Sequence, residues 1–412
     1  MTVRLRHIAA INPPTPEFDK LSGHTDVPFI PLEAVWPGGR LDVSRRRPKD
    51  DVGTGYTRFR EGDILVPKIT PTFQADRAVI AERLDGGIAA GTTELHIVRV
   101  GVDADRRYVR YLLSSKPFLD EGEASMIGVA GQKRVPDRCL RDLPVPVVGT
   151  DQQCTIADYL DAETARIDAL IEKKRRMVEL LREKRGVLIS NAIEGKLPVA
   201  PWRGSKTKVA PLKHLVHFNH SALRDDTDPS YEFRYLEIGA VGRGRLIEQP
   251  MVLSFADAPS RARRVVRDGD TIISTVRTYL RAVWTVRGAE DNLVVSTGFA
   301  VLTPGADVDA RYLSWLSQSD LVVEEIVARS VGVSYPAINP TDIGSILVPV
   351  PALHIQRIVA DYLATETARM DALIAKHVRT ADLLAEYRKA LITSVVTGET
   401  AVPLSDKELM AA

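Results

Sequence analysis

The sequence predicts an α+β protein in which two mixed α/β globules are separated by two long helices. The helices are expected to pair antiparallel as a coiled coil, with an internal pseudo-twofold repeat. Residues 156–171 recur as residues 359–374 with 12 of 16 positions identical, at a constant offset of 203. Each copy follows about 145 residues rich in short β-like runs and turn residues. Such a repeat is too long for a solenoid unit and indicates duplication of a whole domain with its helix.

Composition limits the class of protein. The 412 residues are 44% hydrophobic and 26% charged, as in soluble globular proteins of two to three domains. No apolar run is long enough to span a bilayer and the N-terminus lacks a secretory signal, so we expect a cytoplasmic protein without membrane contact. The two cysteines can build neither a disulfide framework nor a zinc site. The net charge of +1 gives no global nucleic-acid signature, so DNA binding would depend on local clusters.

The globules are predicted over residues 1–147 and 201–350. Short β-like runs within them, such as 62–66 and 269–273, predict mixed α+β structure. The two globules also correspond weakly in sequence, for example at 60–63 and 267–270. We therefore expect a shared fold that differs in detail.

The long helices are predicted within residues 148–200 and 351–412. Apolar residues at alternating steps of four and three give each a narrow stripe, the spacing of a coiled coil. Gly195 and Gly398 are helix stop signals. The predicted pairing seam consists of Ile156, Leu160, Ile167, Leu170, Met177, Leu181 and Leu188 in the first helix, and of Val359, Leu363, Met370, Leu373, Leu384 and Leu391 in the second.

The most specific repeated motifs precede and open the helices. Residues 143–147 are followed by Gln153, Ile156 and Leu160, and residues 348–351 are followed by Gln356, Val359 and Leu363. With this pattern the whole chain resembles the specificity subunit of type I restriction-modification systems. The four predicted segments would then be two target-recognition domains, each followed by a conserved helix.

That resemblance implies a DNA-recognition subunit with no catalytic centre, metal or cofactor of its own. Each recognition domain would contact one half of a bipartite, asymmetric site in double-stranded DNA, and the helices would set the spacer and dock two modification (methyltransferase) subunits. Those partners would bind S-adenosylmethionine. Two restriction subunits would add ATP- and Mg-dependent nuclease activity.

Candidate DNA-binding residues are basic clusters and polar residues near predicted strand ends. Lysine and arginine suit phosphates and guanine, and Glu94 could accept a hydrogen bond from cytosine or serve only a structural role. A solvated charged surface is the competing interpretation for any single cluster. The candidates are Arg45, Arg46, Arg47, Lys49, Lys68, Thr70, Thr93, Glu94, Lys133, Arg134, Arg261, Arg263, Arg264, Arg277, Tyr279 and Arg281.

Two motifs resemble catalytic or metal sites without meeting their requirements. Residues 12–15 imitate the Asn-Pro-Pro-aromatic loop of adenine methyltransferases but lack the aromatic, so a proline-rich loop is the favoured interpretation. The histidines at 214, 217 and 220 have no fixed fourth ligand. A coiled-coil interaction scaffold without sequence-specific DNA binding is the alternative function, and a stand-alone enzyme is the least supported.

Overall fold

The computed structural model describes residues 1–129, 131–197, 207–288 and 292–402. The chain divides into two compact units, Met1–Lys174 with Arg379–Ala412, and Arg175–Val378. The predicted boundary at residues 200 and 201 and the predicted end of the second helix at 412 lie outside the described residues.

The described residues of the first unit form two four-stranded sheets and one two-stranded ribbon, in the orders β4-β3-β8-β5, β2-β9-β6-β7 and β1-β10. Its strands are β1 (Thr2–Arg4), β2 (Ala9–Ile11), β3 (Asp26–Ile30), β4 (Arg46–Pro48), β5 (Thr57–Arg60), β6 (Ile64–Pro67), β7 (Val79–Ile80), β8 (Ile88–Gly91), β9 (Leu95–Val100) and β10 (Pro144–Pro146). Its short helices are α1 (Pro16–Asp19), α2 (Arg106–Leu112), α3 (Lys116–Ala124) and α4 (Asp137–Asp142), and the long helix α5 (Thr150–Ile193) begins in this unit.

The second unit repeats this topology strand for strand, in the orders β14-β13-β18-β15, β12-β19-β16-β17 and β11-β20. Its strands are β11 (Lys208–Pro211), β12 (Val216–Phe218), β13 (Glu232–Leu236), β14 (Met251–Ser254), β15 (Ala262–Val265), β16 (Thr271–Ser274), β17 (Val283–Thr285), β18 (Leu293–Ser296), β19 (Phe299–Pro304) and β20 (Leu347–Val350). Its helices are α6 (Ala310–Gln318), α7 (Asp320–Arg329), α8 (Pro340–Gly344) and the start of the long helix α9 (Leu353–Val396).

Strand pairing is repeated as well as strand order. The pairs β3–β8 and β13–β18 are parallel, and each lies inside an otherwise antiparallel sheet. The predicted α+β fold class with an internal repeat is confirmed.

A buried glutamine connects each globule to its long helix. The Gln153 side-chain oxygen accepts a hydrogen bond from the Asp105 backbone N–H at 2.9 Å, and Gln356 accepts one from Asp309 at 2.8 Å. Asp105 and Asp309 in turn cap the N-termini of α2 and α6. The glutamines that stood out in the repeated motif therefore fix the entry into α5 and α9.

Each unit pairs the beginning of one long helix with the end of the other. In the first unit, Leu160 and Ile167 of α5 share an apolar core with Leu391 of α9. In the second unit, Ile189 of α5 shares a core with Leu363 of α9. The two helices therefore pair antiparallel, as predicted.

The predicted pairing seam is wrong at three positions. Leu170, Met177 and Leu373 are 41%, 38% and 47% exposed, whereas Ile171 and Val178 are buried next to the first two. At each of these positions the sequence has two adjacent apolar residues. Either one fits a heptad, because the spacing from the previous seam residue can be three or four residues. In α5, the second residue of each pair is the one that is buried.

The same ion pair occurs twice between the long helices. In the first unit, Arg388 Nε lies 3.0 Å from Asp168 Oδ1, with the arginine side chain only 10% exposed. In the second unit, Arg185 Nε lies 3.2 Å from Asp371 Oδ1. Both arginines and both aspartates are separated by the repeat offset of 203 residues. A largely buried arginine is costly without a nearby carboxylate, so these repeated pairs favour one register of the seam.

No helix among the residues that the structure describes is both long and apolar enough to cross a membrane.

Replacing Arg388 with alanine should destabilise the first unit by about 1 to 3 kcal/mol, because an ion pair and the packing of the arginine stem are lost. The measurement is urea denaturation of the purified chain. Exchanging the charges in Asp168→Arg with Arg388→Asp should recover part of the loss. The control is Arg176→Ala, which removes an exposed ion pair between Arg176 and Glu179 within α5. An Arg388→Ala variant no less stable than this control would contradict the register role.

Candidate nucleic-acid interface

Three loops of the first unit are joined by backbone hydrogen bonds. In the loop after β6, the Lys68 N–H donates to the Glu94 carbonyl at 3.0 Å. The Lys68 carbonyl accepts from the Val135 N–H at 2.8 Å. Thr70 N–H donates to the Lys133 carbonyl at 3.0 Å. Candidates that are far apart in the sequence are thereby brought together. The first loop cluster is defined as Lys68, Thr70, Glu94, Gln132 and Arg134.

Charge within the first loop cluster is partly neutralised. Arg134 donates to both carboxylate oxygens of Glu94, at 2.8 and 2.7 Å. This hydrogen bonding lowers the pKa of Glu94 and raises that of Arg134. Lys68 is half-buried, whereas Lys133, whose carbonyl accepts from Thr70, is exposed. Glu94 is therefore held as a carboxylate that orients Arg134, and a contact to cytosine would compete with this pair.

The second unit builds the same frame from different residues. Thr275 N–H donates to the Gly298 carbonyl at 2.8 Å, and Ile338 N–H donates to the Thr275 carbonyl at 2.9 Å. Val276 forms a β-bridge with Ala337, as Ile69 does with Arg134. These bonds show which positions of the two units are equivalent. The second loop cluster is Thr275, Arg277, Gly298, Tyr335 and Ala337, which correspond in this order to Lys68, Thr70, Glu94, Gln132 and Arg134.

Every side chain differs between the two loop clusters. The Glu94–Arg134 pair is replaced by glycine and alanine, and Thr70 is replaced by Arg277. Arg277 adopts the left-handed conformation (φ 52°) and lies over the Tyr335 ring at 5.0 Å. Stacking on an aromatic ring orients a guanidinium and leaves its edge available for hydrogen bonding.

Two further candidates flank the second loop cluster. A 3-10 helix, Thr278–Leu280, follows Arg277 and exposes Tyr279. Arg281 follows this helix and forms an ion pair with Glu324 at 2.7 Å. The Tyr279 ring is thus accessible, while the Arg281 charge is shared with an acidic partner.

The remaining first-unit candidates lie on or beside β4, at the edge of the other four-stranded sheet. Arg45 pairs with Glu33, Arg46 with Asp85, and Arg47 stacks on a phenylalanine ring. Lys49 is half-buried just after this strand, and Thr93 is exposed in the turn before β9. The β4 cations are therefore largely engaged by their own unit.

The remaining second-unit candidates lie at or near β15, at the opposite edge of the corresponding sheet. Arg263 stacks on Phe255 at 4.7 Å, and burial lowers the pKa of Arg264. Arg261 is exposed. Since β4 and β15 are not equivalent strands, these two basic clusters are not related by the repeat.

Asn12, in the methyltransferase-like motif, has a structural role. Its side-chain oxygen accepts from Ile97 N–H at 2.9 Å, and Asn219 accepts from Val301 N–H at the same distance in the second unit. Both asparagines have a positive φ, 50° and 52°. No group of three potential metal ligands forms within the described parts of the chain.

Comparison with known proteins gives sequence relatives of a single kind. Over 158 residues the chain is 34% identical to the type I restriction enzyme EcoEI specificity subunit of Escherichia coli, covering 37% of this chain and 26% of that protein. Over 153 residues it is 38% identical to the EcoAI specificity subunit, also of Escherichia coli, covering 36% and 25%. The matched region thus spans about a quarter of the length of these curated relatives. No protein-family model matches the chain.

The fold has solved counterparts over nearly its whole length. A chain from a structural study of complex assembly and conformational transition of the type I R-M system covers 96% of this chain and 97% of its own, with a TM-score of 0.68 and 18% identity. The HsdS subunit from Thermoanaerobacter tengcongensis covers 97% of both chains, with a TM-score of 0.54 and 16% identity. The resemblance to type I specificity subunits is confirmed. The duplicated loop clusters therefore belong to a fold that such subunits share.

Proposed function

We propose that this chain is the DNA sequence-specificity subunit of a type I restriction-modification complex. The observation that carries the proposal is the pair of loop clusters, in which the same backbone bonds present different side chains. A duplicated frame with different side chains suits a bipartite site whose two halves differ in sequence. The sequence relatives support this role and do not favour the alternative of an interaction scaffold.

The division into two recognition domains has an energetic reason. A mismatched base pair typically costs about 1 to 3 kcal/mol, so a single domain contacting a few pairs discriminates weakly against a genome. Two covalently joined domains combine their binding energies on one DNA molecule. In this proposal the paired helices set the unread spacer between the half-sites.

The contacts proposed here differ between the two domains. Arg277, held by Tyr335, suits a guanine, which offers O6 and N7 as acceptors in the major groove. In the first domain, Lys68 and Arg134 are the cations, and the Glu94 carboxylate fixes the direction of Arg134. The arginines on β4 and β15 are better suited to phosphates than to bases.

Exposed apolar residues on the long helices suit two copies of one partner. In the first unit, Leu170 and Leu383 are exposed beside the buried seam, and in the second unit Leu373 and Leu180 occupy the repeat-equivalent positions. We define these pairs as the first and second helix patches. Because each unit carries one equivalent patch, the proposal assigns one modification (methyltransferase) subunit to each.

Chemistry in the complex is assigned to the partners. S-adenosylmethionine would bind to the modification subunits, and ATP and Mg to two restriction subunits. This chain would contribute recognition and assembly, with no catalytic residue or cofactor of its own.

The first test is adenine methylation across the genome of a host that lacks other methyltransferases. The chain and its neighbouring modification subunit are co-expressed, and modified bases are mapped by single-molecule sequencing. The proposal predicts a gapped, asymmetric motif that vanishes when this chain is omitted. Assembly of both proteins without any such motif would reject the specificity role.

Replacing Arg277 with alanine should relax one base position in one half-site and leave the other half-site unchanged. The expected loss of discrimination at that position is about 1 to 3 kcal/mol. The methylated motif is determined as above, with Arg287→Ala as control, because Arg287 is exposed outside the loop cluster. Uniform weakening on all sequences would instead indicate a phosphate contact.

Charged residues introduced into one helix patch should prevent one modification subunit from binding to the chain. The variant Leu180→Lys with Leu373→Lys introduces two charges that docking at the second patch would bury, and native mass spectrometry should show one bound partner instead of two. Ile247→Lys, at an exposed apolar position in the second globule, is the control. Retention of both partners by the patch variant would contradict this docking site.

A further inference from the structure

An apolar hairpin tip recurs in both units and is not explained by core packing. Ile127 and Val129 in the first unit are 62% and 75% exposed, and Val331 and Val333 in the second are 80% and 101% exposed. In each case a glycine, Gly128 or Gly332, separates the two apolar residues. We call these the first and second hairpin tips. A single exposed apolar residue is ordinary, but an adjoining pair that recurs at corresponding places in both units is a candidate contact surface.

Backbone hydrogen bonds close the base of each hairpin within the part of the chain that the structure describes. Ile127 and Arg134 exchange backbone hydrogen bonds at 3.0 and 2.9 Å, and Val331 and Ala337 do so at 2.9 and 3.0 Å. Gly128 has φ +135°, and a Cβ there would lie 2.9 Å from the Gln132 carbonyl oxygen. Gly332 has φ +116° at the corresponding place in the second hairpin, which is one residue shorter between its paired residues. A hairpin whose base is closed in advance loses less conformational entropy when it binds.

The position of the tips connects them to the loop clusters. The residue that closes each hairpin through a β-bridge, Arg134 or Ala337, is itself a member of the loop cluster. All five cluster positions differ between the units, whereas the tip keeps the pattern of β-branched residue, glycine and valine. Side chains that differ suit recognition of different bases, and side chains that are retained suit a task common to both half-sites.

We propose that the two hairpin tips insert into the DNA groove and make sequence-independent apolar contacts with sugars and base edges. This inference rests on the proposed DNA-recognition function and adds residues to it. Proteins that bind the minor groove insert apolar side chains in this way, and such contacts need no hydrogen bond to a particular base. The tips would seat each loop cluster against the bases, and the loop cluster would then supply the sequence preference.

DNA is the occupant that the surroundings favour. The exposed Lys133 lies next to the first tip, and the stacked Arg277 and Tyr335 lie next to the second. Lys133 suits a phosphate that flanks the groove, and Arg277 is the proposed guanine contact, so each tip lies beside a group that suits DNA. The helix patches, by comparison, are apolar surfaces on α5 and α9 and lie outside the loop clusters.

The test uses the full chain assembled with its modification subunit and carrying Val129→Ser, Val333→Ser, or both. Fluorescence anisotropy gives the Kd for a duplex with the methylated motif and for a scrambled duplex. Each substitution should weaken binding to both duplexes by a similar factor, about tenfold if most of one valine is buried. Val102→Ser is the matched control, because Val102 is 97% exposed but lies between β9 and α2.

The other outcomes have distinct meanings. Weaker binding to the motif alone would overturn the sequence-independent role, and unchanged binding to both duplexes would overturn the contact itself. Loss of the modification subunit from the complex, measured by native mass spectrometry, would assign the tips to the protein partner and also overturn the proposal. A wild-type complex that binds both duplexes equally would reject the proposed function. Even then, weaker binding of the tip variants to both duplexes would still support contact between the tips and DNA.

Discussion

The structure depends on the pairing of two long helices that repeat each other 203 residues apart. Neither compact unit contains a whole long helix, since each needs the start of one helix and the end of the other. An apolar seam alone would permit helices to slide by a heptad at small cost. The repeated pair of arginine and aspartate, Arg388 with Asp168 and Arg185 with Asp371, penalises such a slip because it would leave largely buried arginines without partners.

Duplication explains how one scaffold presents two different surfaces. Two backbone bonds made by Lys68 recur at Thr275, so both loops are attached to their neighbours in the same way. Two residues further on the backbones differ, since Arg277 has a positive φ and its counterpart Thr70 does not. The first loop cluster contains the Glu94–Arg134 pair, and the second contains the Arg277–Tyr335 stack. Some of these positions are constrained by packing: Thr275 is buried, and a Cβ at Gly298 would lie 2.4 Å from Ile238 Cδ1. The exposed positions, such as Arg134 and Tyr335, are those at which the presented side chain can change without rebuilding the domain.

The sequence was sufficient to predict the repeat, the fold class and the antiparallel helices, because helix periodicity and near-identity over residues 156–171 are local signals. It could not choose between Leu170 and Ile171 in the seam, since both fit the heptad and only packing distinguishes them. Nor could it group Lys68, Glu94 and Arg134, which come together only through sheet topology. The acidic partners of Arg45 and Arg46 could not be predicted either, because the fold brings them together from distant parts of the sequence.

The hairpin tips were missed for a different reason. Isolated valines and isoleucines usually indicate core, so a short apolar pair around glycine gave no expectation of exposure. The signal was nevertheless present in the repetition of the pattern at residues 127–129 and 331–333. Comparing the halves of a duplicated chain therefore distinguishes the shared scaffold, exposed patterns that both units retain and positions that differ between the two units.

The proposed function requires the loop clusters of both units to bind DNA. Hydrogen–deuterium exchange of the assembled complex, with and without a duplex carrying its methylated motif, measures this. We expect DNA-dependent protection in both loop clusters, around residues 68–70 and 131–134 and around 275–281 and 335–337. Protection confined to one unit, or to the edge strands β4 and β15, would contradict it.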